Sequence, residues 1–125
     1  MKVEFYLSNK LRNWLDSIPE IHPGFKCDGC SGVSDKWMGF NLFPACEQHD
    51  WCYYLGRNGF LDPWERKYVD KIFKKHTYYS LTKFRKRFTW KMYAWYFAQR
   101  RYWAVRLFAG KSFIEKRDEP DYVSE

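Results

Sequence analysis

Apolar positions recur at helical spacing along most of this chain. Leu7, Leu11, Leu15 and Ile18 form a first short stripe with Trp14 beside it. Ser8 or Asn9 is placed to cap that helix, and Pro19 to end it. From Pro23 to Pro44 the periodicity disappears. Gly24, Gly29, Gly32 and Gly39 fall among Asp28, Ser31, Ser34 and Asp35, and the pattern predicts a loop. Residues 45–53 contain neither Gly nor Pro and predict a second helix, ended by Gly56. Asp62-Pro63-Trp64-Glu65 then reads as an N-cap, a proline at the first helical position and a capping-box-like glutamate. In the helix it opens, Tyr68, Val69, Ile72 and Phe73 form the apolar face, and Lys67, Lys71, Lys74 and Lys75 the solvated one. A short connection predicts that this helix lies antiparallel to the one before it. Residues 81–109 predict a further helix, long or broken, closed by Gly110. Phe84, Phe88, Met92 and Trp95 run along it at i, i+4, i+8 and i+11. The charged tail, 115–125, is expected to fray. The fold class is mainly α, in a single domain, 1–125.

The chemistry concentrates in Cys46-Glu47-Gln48-His49-Asp50-Trp51-Cys52-Tyr53. On a helix, Cys46, His49 and Tyr53 stand above one another, while Asp50 points about 100° away from His49. One turn therefore sends a base and a carboxylate to two different places. This suits a base on one side of a reacting atom and a metal ligand on the other.

The stretch resembles the active-site helix of phospholipases A2, whose pattern Cys-x-x-His-Asp-x-Cys-Tyr is matched by Cys46, His49, Asp50, Cys52 and Tyr53. Secreted members carry a further Cys where this chain has Ala45. The resemblance covers about residues 24–70. It implies a pair of antiparallel helices preceded by a calcium-loop-like segment, with additional helices outside. It also implies calcium-dependent hydrolysis of a glycerophospholipid ester, at the sn-2 position by the family rule, at a membrane surface. His49 is then the general base on water. Asp70, twenty-one residues later, is the carboxylate that orients it, and Tyr53 supports that carboxylate. Lys74, four positions on, offers Asp70 an alternative partner on an exposed face.

Ca²⁺ in this family is held by the Asp beside the histidine, here Asp50, and by backbone carbonyls of the preceding loop. That loop corresponds to Cys27, Asp28, Gly29, Cys30, Ser31 and Gly32, a loose match to the family's glycine-rich string. Hard Ca²⁺ requires oxygen ligands, and glycines let the backbone approach it. The family also bonds the Cys three before the histidine to a loop Cys, which implies Cys46 with Cys27 or Cys30. No Cys follows Cys52, so Cys52 either takes the remaining loop Cys or stays a buried thiol. The same four cysteines permit a rival zinc reading. Their second pair, however, is widely spaced and straddles the His-Asp pair, which zinc would leave unexplained.

Composition narrows the setting. Lys and Arg exceed Asp and Glu by 22 to 15, a formal charge of +7, and aromatics make up 22% of the chain. Such a surface favours anionic partners, phospholipid headgroups or nucleic acid. In the last third, Lys83, Arg85, Lys86, Arg87, Lys91, Arg100, Arg101 and Arg106 lie among Trp90, Trp95, Phe97, Trp103 and Phe108, which predicts a basic, aromatic interfacial surface. Acidic residues between 47 and 70 interrupt the continuous basic stripe that a nucleic acid needs, so lipid is preferred. No apolar run reaches the length of a membrane span, and Met1–Tyr6 lacks the apolar core of a signal peptide. The expectation is synthesis in the cytoplasm, in the manner of small bacterial or phage proteins, with release from a virion or on lysis as an option. The rivals carried forward are a non-catalytic phospholipase-like binding or virion protein and a basic nucleic-acid or zinc-binding module.

Overall fold

The computed structural model describes residues 1, 3–22, 24–25, 36–37 and 40–114. Five helices run through it: α1 (Asn9–Asp16), α2 (Phe43–Arg57), α3 (Arg66–Thr82), α4 (Phe88–Phe108) and α5 (Gly110–Ile114). A two-residue antiparallel pair, β1 (Lys36–Trp37) and β2 (Phe40–Asn41), leads into α2. The architecture is mainly helical, as the periodicity predicts.

α1 is capped by Ser8, whose hydroxyl accepts the Leu11 N–H at 3.4 Å. Its Leu11 and Leu15 enter the larger part of the core, with Trp51, Cys52, Tyr53, Val69, Ile72 and Phe113. Trp51 ties this end to α2 by donating to the Pro19 carbonyl at 3.2 Å. α2 and α3 are antiparallel, because Tyr53 and His49 meet Asp70 while Gln48 meets His76. α4 returns along α3, so that Arg106 meets Asp70 and Trp90 donates to the Leu81 carbonyl. A second part of the core lies on that side, built from Leu42, Ala45, Cys46, Phe73, Leu81, Trp90 and Ala94.

Three local expectations are corrected. Asp62 makes no side-chain cap; its carbonyl accepts the Glu65 N–H at 2.9 Å and closes a 3₁₀ turn over Pro63–Glu65, so the α-helix starts at Arg66. The long helix starts at Phe88 rather than near residue 81. α3 runs on to Thr82, and Lys83, Arg85, Lys86 and Arg87 then form a like-charged run that a helix would stack against itself. Gly56 does not end α2 but lies inside it, against α5. A Cβ added there would fall 2.7 Å from the Phe113 ring, so the glycine allows the two helices to touch. The turn comes three residues later, at Gly59, with φ +81°.

Candidate functional site

Two helices position the centre. α2 contributes His49 and Tyr53, one turn apart on the face toward α3, and α3 contributes Asp70 from its second turn. Asp70 is 0% exposed. A buried carboxylate must be matched by donors or its desolvation is prohibitive. Here both oxygens are addressed. His49 Nε2 lies 2.8 Å from Asp70 Oδ1, and the Tyr53 hydroxyl donates to the same oxygen at 2.8 Å. Arg106 Nη1 donates to Oδ2 at 3.1 Å, and Arg66 Nε stands 3.9 Å from it. Burial, then the Asp70 charge and the bond to it, push the Tyr53 phenol well above its ordinary range, so it acts as a donor.

His49 packs against two rings. Tyr53 and Phe73 lie 4.3 Å and 4.4 Å from it, centroid to centroid. A carboxylate only accepts, so Nε2 carries the proton in this pair, and in the neutral ring the lone pair is then on Nδ1. The histidine borders a narrow cleft with Trp14 and Leu15 of α1, Cys52, Val69 and Ile72. Beyond its neighbour Gln48 opens a groove of about 710 Å³, bordered among others by Val3, Phe5, Ile21, Phe40 and His76. α1 reaches the cleft, and the residues flanking α1 reach the groove.

The sequence-derived residues distribute unevenly. His49, Asp70 and Tyr53 come together. Asp70 does not use Lys74, which sits 4.6 Å over the Tyr102 ring instead. Asp50 is half-buried on the next position of α2 and offers a hard carboxylate oxygen, a donor suited to Ca²⁺. The loop carbonyls assigned to Cys27, Asp28, Gly29, Cys30, Ser31 and Gly32 lie outside the described residues. Among the described residues no three His, Cys, Asp or Glu side chains gather as a metal site. Cys52 is a free, buried thiol, pushed up to about 12 by burial. It packs with α1, whereas Cys46 packs toward α4, where Arg101 Nη2 approaches its sulfur at 3.8 Å.

Arg66 and Arg106 are site residues that sequence reasoning did not assign. Arg66 precedes Asp70 by four positions, a spacing that could have flagged it. Arg106 belongs, in sequence, to the basic aromatic surface, and no local pattern links it to Asp70. The same surface needs two further corrections: Arg101 is 7% and Trp90 8% exposed, both inside the core. Arg101 spends its charge over the Phe73 and Phe97 rings rather than in solvent.

Residues 6–109 match the family model described as prokaryotic phospholipase A2. A protein of Arthroderma benhamiae named secretory phospholipase A2 is 36% identical over 66 residues, 51% of this chain and 44% of that protein. The chain therefore spans less than half the length of this curated relative. No solved structure matches significantly.

Proposed function

The chain belongs to the prokaryotic phospholipase A2 family, and on that premise we propose that it hydrolyses a glycerophospholipid ester, at the sn-2 position, with Ca²⁺. The observation that carries this reading is the buried His49–Asp70–Tyr53 cluster on two antiparallel helices inside the matched region. Asp70 and Tyr53 fix the imidazole so that its Nδ1 lone pair is the base. Nδ1 takes a proton from water as the oxygen attacks the ester carbonyl carbon. The proton then passes from the imidazolium to the departing glycerol oxygen, and Asp70 stabilises the imidazolium meanwhile. Water is the nucleophile, and no acyl-enzyme forms.

Asp50 and carbonyls within 27–32 would hold the cation. When bound, Ca²⁺ supplies Lewis-acid polarisation of the carbonyl and an anchor for the phosphate. A bridge from Cys46 to Cys27 or Cys30 would tie that loop to α2. Cys52 is a free thiol, which leaves Cys46 for this pairing. The placement of Cys46 and Cys52 in different parts of the core argues against one zinc ion shared by all four cysteines.

α4 suits the lipid surface. Among the described residues no helix is long and apolar enough to cross a membrane. α4 nevertheless presents Phe88, Met92, Trp95, Tyr96, Trp103, Leu107 and Phe108 outward, with Lys91 and Arg100 exposed between them. Aromatics mixed with cations match an anionic bilayer interface. Vesicle binding should then weaken only in part with added salt, whereas binding to an oligonucleotide would fall steeply.

Phosphatidylcholine labelled in its sn-2 chain tests the reaction. The expected result is release of labelled fatty acid that stops with EGTA. Folded, calcium-loaded protein that releases none would end the catalytic reading and leave the non-catalytic binding protein.

A further inference from the structure

We infer that Arg106 is a positioning residue for the hydrolytic centre, acting through Asp70, and that Arg66 holds Arg106 in place. This deepens the reading above and rests on it. An aspartate carboxylate is nearly two-fold symmetric and its χ2 torsion is soft. With donors on one oxygen only, the group can rock and exchange its oxygens. Asp70 is loaded on both: His49 and Tyr53 on Oδ1, and Arg106 on Oδ2 at 3.1 Å. The guanidinium thereby decides which oxygen faces the imidazole and at what tilt.

Arg106 stands in the last turn of α4, thirty-six residues from Asp70, and something must bring it there. That is Arg66. Its Nη2 donates to the Arg106 carbonyl at 2.8 Å, while its Nε lies 3.9 Å from Asp70 Oδ2. Carboxylate, Arg106 and Arg66 close a triangle across α3 and α4. Gly110 leaves space for it, since a Cβ there would stand 2.9 Å from Arg66 Nη1. Two guanidinium groups against one carboxylate is more cation than neutralising Asp70 requires. Arg66 Nη1 is also buried without a hydrogen-bond partner among the described residues. Fastening α4 to α3 alone would be served better by an apolar contact of the same volume. An arrangement that holds a carboxylate in one orientation accounts for the second cation.

The test uses the full chain with Ca²⁺ and a dispersed short-chain phosphatidylcholine. Arg106→Gln should lower kcat by roughly 10-fold to 100-fold, the scale of a sub-ångström to ångström misplacement, with KM within about two-fold. Arg106→Lys keeps a cation on Oδ2 and should retain most of kcat. Millimolar ethylguanidinium should restore part of the Gln variant's rate. Proton NMR supplies a readout independent of turnover. The hydrogen-bonded Nε2–H of His49 should be sharp in the parent and in Arg106→Lys, and broadened or lost in Arg106→Gln. A folded Arg106→Gln with parental kcat and an unchanged Nε2–H signal would overturn the inference, as would equal losses in the Lys and Gln variants. Should Arg106→Gln fail to fold, Arg66→Gln carries the test: several-fold lower kcat and a weakened Nε2–H signal are expected, and parental values in both overturn it. If the parent hydrolyses nothing, the proposed reaction falls, while the NMR comparison still decides whether Arg106 positions the pair.

Discussion

The α2–α3 pair carries a histidine at each of two levels, and their surroundings differ. His49 meets a buried carboxylate backed by a tyrosine and two arginines. His76 meets a carboxamide: its Nδ1 lies 2.9 Å from Gln48 Oε1, and Gln48 Nε2 lies 2.9 Å from the Met1 sulfur. Its ring stacks on Phe5 at 5.1 Å, and burial pulls its pKa down to about 4. Both rings are packed by aromatics, so burial alone does not distinguish them. The partner does. A carboxylate orients an imidazole and stabilises the cation it becomes, whereas an amide beside a desolvated ring keeps it neutral.

Breaking the charged level should have the larger effect. Asp70→Asn leaves Arg66 and Arg106, both half-buried, without their counter-charge, and about 3 kcal/mol of stability should be lost, the low end for a broken buried pair because the two cations keep some contact with water. Urea denaturation measures this, and a loss below about 1 kcal/mol would show that the cluster is not a paired, desolvated one. At the neutral level, pH provides the probe. The unfolded chain takes a proton on this histidine near its ordinary value of 6.5, and the folded chain only at about 4. The His76 contribution to stability is therefore complete above about pH 6.5 and is lost as pH falls toward 4. It should amount to on the order of 2 kcal/mol after discounting for partial exposure. Equilibrium unfolding of His76→Phe across that window should lack this component; an unchanged pH dependence would contradict the assignment. Smallest of all is the expected effect on stability of Trp103→Ala on the outer face of α4, within about 0.5 kcal/mol, because that ring is 58% exposed. Its vesicle binding should nevertheless fall several-fold by fluorescence titration, and parental binding would remove Trp103 from the lipid surface.

The charged level was half legible in the sequence. His49, Asp50, Cys52 and Tyr53 match the phospholipase A2 pattern at fixed helical offsets, and that resemblance also implies a carboxylate at the spacing of Asp70. Offsets along one helix survive folding, so these residues could be named from the resemblance. Arg106 could not, because the register of α4 on α3 decides its contact, and α4 is apolar on too many sides to show its buried face. For the same reason Trp90 and Trp95 look alike in sequence, yet one is 8% and the other 57% exposed. Arg101 read as a surface cation because cations usually are; only packing against Phe73 and Phe97 reveals otherwise. α5 has five residues, too few for a periodic signal, although its Phe113 is among the most buried side chains.

The most direct measurement sets the two histidines against each other in one assay. His49→Gln and His76→Gln are compared with the parent for calcium-dependent release of the sn-2 fatty acid, after melting curves establish that both variants fold. The account predicts a loss of roughly 10²-fold to 10⁴-fold for His49→Gln, the usual contribution of a general base, and activity within a few-fold of the parent for His76→Gln. Parental activity in folded His49→Gln, or an equal loss in both variants, would contradict it.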